Sequence, residues 1–403
     1  MNLRSRVLEG LRKRKQKLID GGINSVPSPF IRFSDDFIGL EQAKYYVITS
    51  STKGAKTQFA SFVFVFHTLL YAYQHPEQLR IRIFYYPLEE TPDDIMTRFM
   101  SYLLYTKSAG AIRIAPKDLK SSRNDKPIDD KYLELLDSEE YSKIIDFFEE
   151  HIVFSASTNP TGVYNECKRY AEEHGTVFKR KQKIKDEFTG QTREIDAFDH
   201  YIQDDPDEYR IIFYDHVSLT SAERGMSLKQ SIDKLSEYFV LLRNRYGYSP
   251  VVIQQQAFEG ESLDAIRSNK VRPTIANLAD SKYTARDCNV ALGLFSPFKY
   301  ELPEYMQYDI TKLKDNVRFL EILVNRGGSP GGLVALYFDG AVNFFKELPR
   351  PEEKQALNTI YDYLVASRKR INTTFIAYTK QKFKPINSNY GKLLHNLRKI
   401  WYR

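Results

Sequence analysis

Short runs of β-branched and aromatic residues recur along this chain, separated by amphipathic stretches too long to be turns. The runs fall at 45–49, 81–86, 152–155, 211–214, 250–253, 290–295, 317–324 and 332–338. Between them, 56–73, 92–104, 161–173 and 228–246 have the apolar spacing of helices, and 106–150 is polar and mainly helical. Apolar strands alternating with helices predict an α/β fold, a mostly parallel sheet flanked by helices on both faces. Thr91-Pro92 marks one helix start, because Thr accepts from first-turn N–H groups and proline has none to lose. The segment near 176–209 interrupts the alternation and reads as an inserted hairpin or loop, basic first and acidic after.

Charge and composition narrow the partners. With 42% hydrophobic and 28% charged residues the chain is not globally disordered. The longest apolar stretch, 59–73, is interrupted by Ser61, His67 and Thr68, and no run reaches the ~18 residues that span a bilayer. No apolar core follows the basic N-terminus, so no secretory signal is read, and Cys167 and Cys288 lie too far apart to frame a zinc site. A reducing, cytoplasmic setting without membrane contact is expected. Residues 1–20 carry seven Lys/Arg against two acids, and 367–403 carry ten Lys/Arg and no acid. The whole chain is +7, so the segment between is net −8. Basic ends on an acidic body suggest contact with a polyanion, although solvated termini would look the same. In the tail Tyr378, Phe383, Tyr390, Trp401 and Tyr402 interleave with the basic residues, which favours single-stranded nucleic acid, where bases stack on aromatic rings. The 3–19 stretch places Leu3, Val7, Leu11 and Leu18 on one helical stripe; Gly21-Gly22 stops it, and Val26-Pro27-Ser28-Pro29 reads as an extended linker.

The chemistry gathers where strands end. Ser50-Ser51-Thr52-Lys53-Gly54-Ala55-Lys56-Thr57 follows a strand and opens a helix, the place of a phosphate-binding loop. There, backbone N–H groups of 51–55 would receive phosphate oxygens, Lys56 would reach the β/γ oxygens of ATP, and the Thr57 hydroxyl would hold Mg²⁺. In the pattern G-x-x-x-x-G-K-[ST] the glycine positions fall on Ser50 and Ala55, with a glycine one place early at Gly54. Alanine in the left-handed region costs roughly 1–2 kcal/mol, so Gly54 is expected to supply the bend. Asp215 ends an apolar strand, as suits a carboxylate holding Mg²⁺ through water. Glu89, at another strand end, could act as general base on the attacking water, and Gln256 could sense the γ-phosphate. Each has a bland reading: a surface lysine, a turn aspartate, a helix N-terminal acid. Their common position at strand ends of one sheet argues against coincidence.

Taken with Gly39-Leu40-Glu41, Asp287 within Arg286-Asp287-Cys288-Asn289, Arg326-Gly327-Gly328-Ser329-Pro330-Gly331 and Phe338-Asp339-Gly340, these motifs resemble one family in order and spacing. From 37 to about 345 the chain resembles the C-terminal, RecA-like ATPase domain of DnaB-type replicative helicases, most of all those of tailed bacteriophages. The resemblance implies a P-loop NTPase core at 37–350, preceded by an N-terminal linker helix (1–36) and followed by a basic C-terminal extension (351–403). It implies a hexameric ring that encircles single-stranded DNA and hydrolyses ATP with Mg²⁺ between subunits, in a bacterial or phage-infected cytoplasm, with a primase or loader as a possible partner. By resemblance Glu89 is the catalytic base, Gln256 the sensor and Arg326 the arginine finger offered to a neighbour. Loops at 218–229 and 257–282 would face the channel, with Arg224, Lys229, Arg267, Lys270 and Arg272 on DNA phosphates. The 3–19 helix would dock on the adjacent protomer.

Two departures stand out. Val324 occupies the position where the family carries lysine two residues before the arginine finger, and Ala55 replaces a loop glycine. They motivate an alternative: a catalytically impaired, helicase-like scaffold that binds nucleotide and DNA. A recombinase-like filament on the same core fits less well with a linker helix that suits a closed ring.

Overall fold

The computed structural model describes residues 3–185, 192–257 and 271–378. At its centre, nine strands form one sheet: β3 (Tyr46–Ser50), β4 (Arg80–Pro87), β5 (Ile152–Phe154), β8 (Glu208–Asp215), β9 (Ser249–Gln255), β10 (Val290–Phe295), β13 (Val317–Asn325), β14 (Leu333–Asp339) and β15 (Phe344–Glu347). Their spatial order is β15-β14-β13-β10-β3-β9-β8-β4-β5. Every neighbouring pair from β10 to β5 is parallel. The pairs β10–β13, β13–β14 and β14–β15 are antiparallel. The sheet is therefore mixed, because the 326–332 connection is too short for the crossover that a parallel pair requires. Strand β15 was not expected from the sequence: four residues after a turn carry too little pattern to separate from a loop.

Both faces are covered. On one lie α2 (Lys56–Ser61) and α3 (His67–Gln74), joined through a π-helical turn at Phe62–Phe66, with α4 (Pro92–Lys107) and α7 (Glu139–His151). Phe62-Val63-Phe64-Val65-Phe66 is buried on every side, which explains a run without amphipathic spacing. The other face is packed by α8 (Pro160–Glu173) and α9 (Leu228–Tyr246), through Val163, Cys167, Leu235 and Phe239. Short helices α5 (Pro116–Leu119) and α6 (Asp130–Asp137) complete the 106–150 region. Thr91 caps α4 with Pro92 in the first turn, as its sequence predicted. Cys167 and Cys288 are both free and buried. Among the described residues no helix is long and apolar enough to cross a membrane.

The flanking segments are partly integrated. Helix α1 (Leu3–Ile19) leaves Val7, Leu11 and Leu18 more than half exposed. Lys17 pairs with Asp207 beneath it. The expected extended linker instead forms β1 (Ser25–Pro27), paired antiparallel to β2 (Gly39–Glu41), and Phe30, Phe33 and Phe37 enter the main core. The 176–209 region contains the antiparallel hairpin β6 (Gly175–Lys185) and β7 (Thr192–Gln203). At its root Arg210, 1% exposed, donates to Glu208, to the Tyr201 hydroxyl and to the His174 carbonyl. A small bridge of β11 (Glu304–Tyr305) and β12 (Tyr308–Asp309) precedes β13, with helices α10 (Tyr283–Asp287) and α11 (Ile310–Leu313) on either side. Helix α12 (Lys354–Tyr378) buries Leu357, Ile360, Tyr361 and Leu364, so the start of the C-terminal extension packs on the body. The aromatic–basic segment 379–403 lies outside the described residues.

Helix α9 begins just after the loop that follows Asp215, and a capping box holds that start: the Ser227 hydroxyl accepts from Gln230 N–H, and the Gln230 side chain accepts from Ser227 N–H. Ser227→Ala removes the first bond and is expected to cost about 1 kcal/mol, read as a lower urea midpoint with an unchanged slope.

Candidate nucleotide site

The central strand β3 ends at Ser50, flanked by β9 and β10, and the chain there turns sharply into α2. The turn is built from left-handed residues that are not glycine. Lys53 has φ 62° and Ala55 has φ 72°, ψ 28°. The expected role of Gly54 is thereby corrected. Ala55 makes the bend itself, and Gly54 is needed for close approach: a Cβ on it would lie 2.6 Å from Ser50 Oγ and 2.7 Å from Ser50 Cβ. The loop's carbonyls are tied inward. Ser51 O accepts from Gly54 N–H (3.0 Å) and from the Ser50 hydroxyl (2.9 Å), and Ser50 O accepts from Gln256 N–H (3.1 Å). No side chain caps the N-terminus of α2. Its first-turn N–H groups and the positive end of the helix dipole are thus free to meet an anion.

Thr57, in the first turn, donates its hydroxyl to Asp215 Oδ1 at 3.2 Å. Asp215 ends β8 and is 2% exposed; burial pushes its carboxyl up to about 7, Glu89 and Glu90 push the same way, and the Thr57 hydrogen bond and Lys56 oppose them. In the surrounding segments stand buried polar atoms without a hydrogen-bond partner among the described residues: Ser61 Oγ, Tyr85 OH, Glu90 Oε2, Arg98 Nη1 and His216 Nδ1. Unpaired buried polar atoms are rare in folded proteins and mark places built for a ligand, an ion or water. Among the described residues no three His, Cys, Asp or Glu side chains cluster as a metal cage. One hydroxyl and one carboxylate beside an anion cradle suit Mg²⁺, which keeps most of its shell for phosphate and water.

The other sequence candidates divide. Glu89 is half exposed at the end of β4, with Oε2 3.8 Å from His216 Nε2. Glu90 turns away to pair with Arg98. Burial holds His216 below the usual imidazole range. Gln256 is committed elsewhere: its Nε2 donates to Thr49 Oγ1 (2.8 Å) and its Oε1 accepts from Thr274 N–H (3.0 Å). Gln254 is likewise buried, bonded to Ala279, Ser281 and Thr284. It is Gln255, paired in register with Ser50, whose amide lies 3.5 Å from His216 Nε2. The period of two along a strand could have separated these three glutamines. Nothing in the sequence marked His216 or Arg98.

Arg326 stands at the far end of the sheet. Val290 pairs with both Asn325 and Tyr46, so Arg326 neighbours the start of β3 while the phosphate loop leaves its end. Its guanidinium donates to the carbonyls of Arg286 and Cys288. It cannot reach the loop of its own chain. Of the proposed DNA contacts, Arg224 is in the loop after Asp215, and Lys229 is exposed but 3.2 Å from Asp233. Arg272 is engaged by Glu321 at 2.6 Å. Arg267 and Lys270 lie outside the described residues. Ser218, in the first of these loops, bonds Asp280 in the second, which links the two.

No family model matches this chain, and no curated protein matches it. Solved structures do. The ATPase domain of a phage DnaB-like helicase superposes with a TM-score of 0.56 at 16% identity, covering 86% of this chain and 98% of that one. A DnaB-like replicative helicase, whose structure was described with its interactions with primase, gives 0.56 and 16% over 86% of this chain and 68% of its own. The chain therefore has the RecA-like fold of helicase ATPase domains, a mixed, mostly parallel sheet flanked by helices.

Gly54→Ala forces its methyl into Ser50 and is expected to weaken nucleotide binding by tenfold or more (about 1.4 kcal/mol), measured by titration with a fluorescent ATP analogue. Asp215 yields a pH signature. Its folded-state value, about 7, lies above the ordinary 3.8, so the folded protein holds the extra proton between these limits and loses stability as pH rises through them. Without Mg²⁺, Asp215→Asn is expected to raise the thermal midpoint at pH 8 and change it little at pH 4. Equal shifts at both pH values would count against a buried, strained carboxylate.

Proposed function

We propose that this protein is an ATP-dependent helicase or translocase that works on single-stranded DNA as a ring. A closed ring is favoured over a filament by the exposed apolar stripe of α1, which suits docking on an adjacent protomer. The observation that carries the reading is the Thr57–Asp215 contact beside an uncapped helix N-terminus, at the C-terminal ends of parallel strands. In this reading the 51–55 backbone and Lys56 hold the phosphates, and Thr57 and Asp215 hold Mg²⁺. When bound, Mg²⁺ neutralises charge that develops on the phosphates. Glu89, beside His216, accepts a proton from the attacking water, and Gln255 replaces Gln256 as the amide placed to respond to the γ-phosphate.

Arg326 supports an assembly. Its distance from the loop of its own chain means that it can stabilise transition-state charge only in a neighbour's site. Arg224 and Lys229, after Asp215, are the described candidates for DNA phosphates, and a primase or loader would be a further partner. The scaffold alternative keeps one supporting observation, Val324. Ala55 no longer supports it, since the loop reaches its left-handed shape with alanine in place.

Steady-state ATP hydrolysis, with and without single-stranded DNA, tests the reading. Activity is expected to rise with DNA, to vanish in Lys56→Ala, and to fall about a thousandfold in Arg326→Ala. Mixing the two inactive variants should restore partial activity, because some interfaces then pair an intact loop with an intact arginine. Tight nucleotide binding without turnover in the native protein would establish the scaffold instead.

A further inference from the structure

Arg318 is among the largest fully buried side chains of the protein, 2% exposed on β13, and nothing in the proposed chemistry uses it. Each of its three nitrogens is engaged. Nε bonds the Gly54 carbonyl at 3.2 Å, Nη1 bonds the carbonyls of Asp315 (2.9 Å) and Val317 (2.8 Å), and Nη2 pairs with Asp315 Oδ1 at 2.9 Å. The guanidinium also lies over the Phe338 ring, 4.4 Å from its centroid. A guanidinium so enclosed is committed to the protein rather than to a phosphate. It meets the phosphate loop at a carbonyl, on the residue between the two left-handed positions Lys53 and Ala55.

Its surroundings form one buttress. Gln58, in the first turns of α2, donates to the Gly340 carbonyl (2.9 Å), and Asn343 donates to the Gln58 carbonyl (3.0 Å). The β13–β14–β15 meander thus grips both the loop and the helix that follows it. Of these grips, that of Arg318 falls where the backbone is least able to hold itself, because left-handed alanine and lysine are strained and glycine is missing from the usual place.

We propose that Arg318 is a positioning residue that holds the 51–57 loop in its nucleotide-receiving shape, standing in for the glycine absent at position 55. The inference rests on the reading of that loop as a phosphate site. A buried charged donor on a single carbonyl is strong, and its loss leaves that carbonyl without a partner. The loop would then relax away from the left-handed turn. Glycine at 55 makes the same turn without strain, so it should relieve the need for Arg318.

The test is a double-mutant cycle read by titration with a fluorescent ATP analogue, on the full chain. Arg318→Met is expected to weaken binding about tenfold, and Arg318→Lys by less. Adding Ala55→Gly should recover most of the loss in the Met variant, yet change native affinity little. Hydrogen exchange of the 50–57 peptide should speed up in Arg318→Met and slow again in the double variant. Native affinity in Arg318→Met, or a loss of affinity that Ala55→Gly does not relieve in either Arg318 variant, overturns the proposal. Lys56→Ala separates the two readings. Lost binding there with native binding in Arg318→Met overturns only the role of Arg318, and native binding in Lys56→Ala overturns the phosphate site itself.

Discussion

A backbone that offers its N–H groups to an anion cannot use them to hold itself together, and that constraint organises this molecule. The loop between β3 and α2 keeps its first-turn donors uncapped, so its shape must be secured through its carbonyls. Ser50 O is bonded by Gln256 N–H, Ser51 O by Gly54 N–H and the Ser50 hydroxyl, and Gly54 O by Arg318. Two of these donors, Gln256 and Arg318, come from distant parts of the chain. The loop is therefore as stable as the sheet that supports it, and local propensity alone would not produce it.

The two halves of the sheet serve this end differently. The parallel strands β3, β4, β8 and β9 all deliver their C-terminal ends to one edge, which is why Thr57, Glu89, Asp215 and Gln255 meet despite lying far apart in sequence. The antiparallel strands run through the same layer in both directions. Strand β13 consequently presents Arg318 at the phosphate-loop end and leads into Arg326 at the other. A single strand thus links the loop of one subunit to the residue offered, in the proposed ring, to the next.

Burial and chemistry conflict at Asp215, and the conflict is informative. Carboxylates that only stabilise a fold sit where charge is welcome. Asp215 is enclosed near Tyr85 and the Glu90–Arg98 pair, with several polar atoms unpaired, and its acidity is suppressed by that enclosure. Such an arrangement lowers the stability of the empty protein and suits a site completed by an ion.

Much of this was legible in the chain. Periodicity placed the parallel strands and the main helices, because a strand buried on both faces must be apolar throughout and a covering helix must not be. The Lys56-Thr57 pair and the strand-ending Asp215 and Glu89 were legible because their chemistry demands fixed residue types next to strand ends. Other features depended on what lay across the fold. Whether Gly54 or Ala55 bends the loop is decided by Ser50 packing against Gly54. Which glutamine faces His216 is decided by the pairing of Gln255 with Ser50. Arg318 carries no local signal at all, since a lone arginine in an apolar strand acquires meaning only when a carbonyl from 264 residues away closes on it. The sequence by itself determined the strands, the helices and the residue types of the site, through local period and local chemistry. Tertiary structure alone decided which side chains converge, because a register slip of one residue sends each of them to the opposite face.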